Sequence, residues 1–281
     1  MKLKYIVPVL LLALFTSCSS DDDNDIPPVN EVEDLIKVKD ITNDTHTIEL
    51  YTKSGKFYTG HNDISIRIMD NSDKKYVESA TISWNPMMQM ETMSHSCPKS
   101  EVSKVTGKNT VYNGTIVYQM TGMNGSGWSL KLTYTIDNQE YEAEDTITVL
   151  QSDKQNVTTV TGSDDTRYIL ALIEPSTPKI AVNDITVGLY KMENMMMFPV
   201  VENYTIALDP RMPSMDNHSS PNNQDLAYDS TQQMYNGKLS LTMSGYWVLN
   251  LKLIDDKDTV LKGEDITDSH TQSSLYLEIE F

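Results

Sequence analysis

The 281-residue chain has only two cysteines, Cys18 and Cys97, so no framework of several disulfides can staple it. Phenylalanine is scarce at 4 residues, while methionine reaches 16, so sulfur is not simply following general hydrophobicity. Positive charge is also short, with 22 Lys and Arg against 40 Asp and Glu and a formal net charge of -18. That balance removes the electrostatic footprint needed to bind a phosphate backbone, and nucleic acid is excluded as an expected partner. With 12 glycines and 11 prolines, the chain is neither collagen-like nor low-complexity. Its apolar run from Tyr5 to Phe15 is 11 residues long, too short to span a bilayer.

That run follows Lys2 and Lys4 and meets Thr16-Ser17-Cys18, the charged, apolar and small-residue order of a secretory signal. Leu14-Phe15-Thr16-Ser17-Cys18 resembles a bacterial lipobox, which implies cleavage after residue 17 and lipidation of Cys18. The expected organisation is a signal peptide at 1–17 and a lipidated, acidic tether at 18–43, whose Asp21-Asp22-Asp23-Asn24-Asp25 run precedes Pro27-Pro28. Asp21, Asp23 and Asp25 have the opening spacing of a calcium loop, but Ile26 and Val32 replace the glycine and glutamate it requires, so the run reads as a spacer. The expected location is the cell envelope, as an outer-membrane lipoprotein facing the periplasm or the cell surface, held to the membrane by its lipid.

Beyond the tether, one unit occurs twice. Asn62-Asp63-Ile64-Ser65-Ile66 answers to Asn183-Asp184-Ile185-Thr186-Val187 at an offset of 121, and Tyr112-Asn113-Gly114 to Tyr235-Asn236-Gly237 at 123. Met120 and Met243 each follow their tyrosine by eight residues, and Trp128 and Trp247 each open an alternating strand. Apolar residues recur at every second position, as in Ile64-Ser65-Ile66-Arg67-Ile68, the pattern of half-buried strands. The expected fold is all-β: two tandem immunoglobulin-like β-sandwiches, at 44–152 and 163–281.

The chemistry-bearing stretches are also paired. Trp84-Asn85-Pro86-Met87-Met88-Gln89-Met90-Glu91-Thr92-Met93-Ser94-His95-Ser96-Cys97-Pro98 and Leu208-Asp209-Pro210-Arg211-Met212-Pro213-Ser214-Met215-Asp216-Asn217-His218-Ser219-Ser220-Pro221 share Pro, Met-x-x-Met, His and Pro. Methionines inside alternating strands, Met69, Met120 and Met243, read as gap-filling core residues. Those between the prolines are interleaved with polar residues and cannot all enter a pleated core. Thioethers beside an imidazole form a soft, neutral donor set that suits Cu(I) better than zinc or calcium. The expected ligands are Met90, Met93 and His95 in the first unit and Met212, Met215 and His218 in the second. Met87 and Cys97 are additional candidates; the counterpart of Cys97 is Ser220, so a thiolate is not essential to the shared design. Trp84, Trp128 and Trp247 are either ring-face shields for a cation or core anchors. Met192-Glu193-Asn194-Met195-Met196-Met197-Phe198-Pro199 has no counterpart and reads equally as an extension of the sulfur surface or a contact patch.

The Pro-x-Met-x-x-Met-x-x-His loop, the Tyr-x-Gly strand, the methionine-glycine turn and the Trp-x-Leu strand resemble the YtkA-like/FixH-like family of extracytoplasmic β-sandwich domains. The resemblance covers most of 44–281 and implies copper handling, with a copper donor or acceptor protein as partner and the two Met/Met/His sets as ligands. The first loop departs by one residue fewer between Met93 and His95, and the doubling on a lipid anchor is a further departure. A surface interaction or adhesion module without a metal is the alternative, since fold alone does not fix function. Haem capture through Met and His is a third, although these loops lack the bulky apolar residues of a porphyrin pocket. None of the local motifs of hydrolases, nucleotide-binding enzymes or zinc proteases occurs, and the chain is not expected to be an enzyme.

Overall fold

The computed structural model describes residues 30–122 and 126–281. The signal peptide, Cys18 and the acidic run lie outside the described residues. In chain order the strands are β1 (Ile36–Thr42), β2 (His46–Thr52), β3 (Phe57–Tyr58), β4 (Gly60–Asp70), β5 (Thr81–Gln89), β6 (Ser94–His95), β7 (Ser103–Lys104), β8 (Tyr112–Tyr118), β9 (Gly127–Ile136), β10 (Gln139–Ile147) and β11 (Val149–Leu150). They continue with β12 (Val157–Thr161), β13 (Arg167–Glu174), β14 (Val182–Lys191), β15 (Thr205–Met212), β16 (His218–Ser219), β17 (Gln224–Asp229), β18 (Met234–Ser240), β19 (Tyr246–Ile254), β20 (Val260–Lys262) and β21 (Tyr276–Glu280).

In the first half, a sheet ordered β1-β2-β4-β8-β7 faces one ordered β10-β9-β5-β6. Setting aside the extra edge strand β1, this is the A-B-E-D and G-F-C arrangement of an immunoglobulin-like sandwich. Alternation drives it: in β9 the buried positions are Trp128, Leu130, Leu132 and Tyr134, with half-exposed residues between them. These meet Ile48, Leu50, Ile64, Ile66 and Ile116 from the facing sheet in one core. The second half repeats the plan as β13-β14-β18-β17 and β15-β19-β21, around a core holding Leu170, Ile185, Val187, Leu208, Trp247, Leu249 and Leu251. Here β17 pairs with β18 and also reaches β15 through Thr205 and Ala227, so the two sheets join along one side. The outer edge of β19 is shared by β20 and β21.

Two strands extend beyond the bounds read from sequence. β1 belongs to the stretch assigned to the tether, and Glu31 is already fastened to the first sandwich: its carboxylate accepts from the backbone N–H of Thr110 at 2.9 Å and of Asn109 at 2.5 Å. β12, in the stretch between the two assigned units, pairs with β13 over its whole length.

The repeat holds to the residue. Ile64 faces Gly114 across β4 and β8, and Ile185 faces Gly237 across β14 and β18. Neither glycine leaves space for a Cβ, which would lie 2.7 Å from the Trp84 ring in one copy and 2.6 Å from the Gln224 carbonyl in the other. The Asn62 amide donates to the carbonyls of Tyr58 and Gly60 at 2.8 and 2.9 Å and accepts from the Tyr58 N–H. Asn183 makes the same three bonds to Lys179 and Ala181. The Tyr112 hydroxyl donates to Glu78 O, and that of Tyr235 to Val201 O. The duplicated motifs are therefore clasps of the fold.

A small apolar cluster joins the halves: Val117 of β8 with Ile169 and Ala171 of β13 and Tyr190 of β14. A polar contact reinforces it, with the Ser96 N–H donating to Met195 O at 2.8 Å.

Candidate functional site

The β5 alternation continues through Pro86 and Met88, so Met88 is buried, paired across the sheet with Trp128, while Met87 lies half-buried on the opposite face. The strand then leaves the sandwich. Met90 N–H donates to Met93 O at 2.9 Å, closing a turn that returns as β6, where His95 pairs with Met88. Met90 and Met93 stand at the tip of this hairpin, 38% and 49% exposed.

His95 is held in one orientation. Its ring stands edge-on to Trp128 at 5.7 Å, and Nδ1 lies 2.7 Å from the Ser96 carbonyl. A carbonyl can only accept, so Nδ1 carries a proton, and whenever the ring is neutral its lone pair is on Nε2. That is the tautomer an imidazole needs to ligate a metal through Nε2. Trp128 fixes a further wall, since its indole N–H donates to Met120 O at 2.9 Å.

The second sandwich supplies the remaining side. After β14, the Met192 N–H donates to Arg167 O, Glu193 N–H to Met197 O at 3.0 Å, and Met196 N–H to Asn194 Oδ1 at 2.8 Å. This compact turn brings Met192 and Met195 against the hairpin. The result is a cleft of about 370 Å³ lined by five methionines, Met90, Met93, Met120, Met192 and Met195, together with His95, Arg167, Phe198 and several amide and hydroxyl side chains. Met120 therefore lies outside the core expected for it, because β8 ends at Tyr118 and its side chain is 39% exposed. Met243 is half-buried against the second core.

The second loop is different. Pro210-Arg211-Met212 continues the alternation of β15 as Pro86-Met87-Met88 continues that of β5, and Met212 pairs with His218 as Met88 pairs with His95. The structural equivalent of Met212 is thus Met88, rather than Met90. Met212 is 3% exposed inside the second core, and its methyl carbon is 2.9 Å from where a Cβ on Gly245 would sit. Met215, on the 3-10 turn Pro213–Met215, is 53% exposed, and His218 is exposed on β16. The trio Met212, Met215 and His218 is split between hydrocarbon and solvent. It does not form the ligand set expected from its spacing.

Cys97 is also corrected. It is 1% exposed in the first core, and burial pushes its thiol pKa well up, so it is not available there as a thiolate. Trp84, Trp128 and Trp247 are core residues whose indole N–H groups are spent on backbone carbonyls. Among the described residues no three His, Cys, Asp or Glu side chains converge as a metal-holding group. A roomier cleft of about 440 Å³ runs beside the linker, lined by Lys53, Lys56, Tyr58, His61, Lys154 and neighbouring polar residues, and it contains no thioether.

Sequence reasoning placed Met120 in the core, and it left the Met192–Met197 cluster open between an extension of the sulfur surface and a contact patch; the cleft takes in Met120, Met192 and Met195. The available signal was spacing: Met192-x-x-Met195 repeats Met90-x-x-Met93.

No family model and no curated protein matches the chain. Among solved structures, it is similar to FdeC, described as a broadly conserved Escherichia coli adhesin, at 12% identity and a TM-score of 0.26, over 84% of this chain. The chain spans 64% of the length of that structure. It is also similar to a fragment with titin Ig tandem domains, at 10% identity and a TM-score of 0.17, over 73% of this chain and 88% of the other. At these scores neither likeness bears on the site or on activity.

Proposed function

We propose that this chain is a non-catalytic binding module of the cell envelope, and that the methionine-lined cleft between its sandwiches is the working site. The observation that carries this reading is the meeting of thioethers from separate segments with an imidazole whose Nδ1 is engaged by the Ser96 carbonyl. Thioether sulfur and neutral imidazole suit Cu(I), and the expected role is sequestration or transfer of that ion in a lipid-anchored protein. Donors would be Met90, Met93 and His95, with Met120 beside them; Met215 and His218 are left out. Kinship with YtkA-like/FixH-like domains belongs to the same proposal. Anchorage through Cys18 at the outer membrane and exchange with a copper donor or acceptor protein are also proposed.

The decisive experiment is competition between the mature chain and a colorimetric Cu(I) chelator. One equivalent is expected, lost in the variant Met90→Ala/Met93→Ala/His95→Ala and retained in Met215→Ala/His218→Ala. A chain that takes no Cu(I), or loses it only in the second variant, refutes this reading.

A second reading, a surface interaction or adhesion module, is favoured by one observation. Met196 and Met197 are 45% and 53% exposed beside the cleft, and polarisable, flexible methionine surfaces suit adaptable protein contacts. It requires partner binding that persists without copper and is lost when Met196 and Met197 become Ser.

A further inference from the structure

The hairpin of the first sandwich offers its donors from one segment of chain. Its tip presents Met90 and Met93, and His95 lies at its base, all from one ribbon. Met192 and Met195 of the second sandwich line the same cleft. Backbone contacts keep them there: the Ser96 N–H, next to His95, donates to Met195 O at 2.8 Å, and Met192 N–H is tied to Arg167 O at 2.8 Å. Three residues apart on a turn closed between Glu193 and Met197, Met192 and Met195 reach the cleft together, while Met196 and Met197 are not among its lining residues.

From this arrangement we infer that Met192 and Met195 complete the donor set, so that each chain holds one soft monovalent ion across the junction of its two sandwiches, and the bound ion braces that junction. The inference rests on the Cu(I) reading and adds to it that the second sandwich is a ligand donor without a site of its own. Besides the ion, the junction has the apolar cluster of Val117, Ile169, Ala171 and Tyr190 and the hydrogen bond from Ser96 to Met195. Interfaces of this modest kind between domains permit relative motion, and a ligand bound to both sides restricts it.

The test replaces sulfur while keeping apolar volume. Met192→Leu/Met195→Leu preserves packing, because leucine and methionine interchange at small cost. Wild-type chain and variant are titrated with Cu(I) alone, and amide hydrogen exchange is followed at residues 153–159 and along β13. The expected result is a loss of Cu(I) affinity of at least about tenfold, comparable to losing supporting groups of a metal site. Copper-dependent protection of the linker should disappear with it. Wild-type affinity and protection in the leucine variant would overturn the bridging role and leave a hairpin site intact. Absence of Cu(I) binding in the unaltered chain would overturn the functional reading as well.

Discussion

Met212 decides whether the second loop is a metal loop or the end of a core strand. Its side chain is 3% exposed and packs in the cluster that contains Trp247 and Leu249. Truncation to alanine removes a fully buried methionine and leaves a cavity, which costs about 2–5 kcal/mol. For a sandwich of this size that corresponds to a fall in melting temperature of about 10 °C or more. Met215, 53% exposed on its 3-10 turn, should change stability by no more than about 0.5 kcal/mol when replaced by alanine. Met212→Leu, which keeps volume and removes sulfur, should cost less than about 1.5 kcal/mol. Differential scanning calorimetry resolves the three variants, with the second sandwich expected to carry the change. A Met212→Ala protein as stable as the parent, but reduced in Cu(I) binding, would refute the core assignment.

Other expectations concern the clasps and the charged groups. Trp128→Phe removes the donor to Met120 O and the edge contact to His95, so a loss of about 1–3 kcal/mol and weaker Cu(I) binding should appear together in denaturant unfolding and chelator competition. Asn62→Ala should destabilise by about 1–3 kcal/mol, and by more than Asn183→Ala, because Asn62 is buried while Asn183 is half-exposed; thermal melts of both variants check the order. Glu49 is buried, and although burial raises its carboxyl pKa, hydrogen bonds from Lys37, Tyr51 and Tyr76 prevail and hold it below the ordinary carboxylate range. Its contribution is therefore present above its unfolded pKa of about 4.3 and lost as pH falls through the lower folded value. Glu49→Gln should flatten the acid limb of a stability-versus-pH curve.

The strand plan was legible in the sequence because a half-buried strand writes its burial at every second position. The Asn-Asp-Ile and Tyr-Asn-Gly pairs even carried the register, since Ile64 and Ile185 meet equivalent glycines. The limit came at Pro86-Met87-Met88 and Pro210-Arg211-Met212, where prolines and polar neighbours suggested loops. Both prolines are paired in strands that keep alternating, so the third residue faces inward. Spacing therefore matched Met90 with Met212, whereas pairing to the histidine matches Met88 with Met212. The contribution of Met192 and Met195 stayed open between two readings for another reason. Their approach to Met90 and Met93 depends on how one sandwich docks on the other, through Val117, Ile169 and Ser96, and no local pattern encodes that docking.

The central claim, that thioethers from both sandwiches and the His95 imidazole grip one soft ion, is tested most directly by copper X-ray absorption on the chain loaded with one equivalent of Cu(I). A first shell of several sulfur atoms and one imidazole nitrogen, losing sulfur in Met192→Leu/Met195→Leu and unchanged in Cys97→Ser, is the predicted result. A shell of nitrogen and oxygen alone, or a sulfur signal that vanishes in Cys97→Ser, would contradict it.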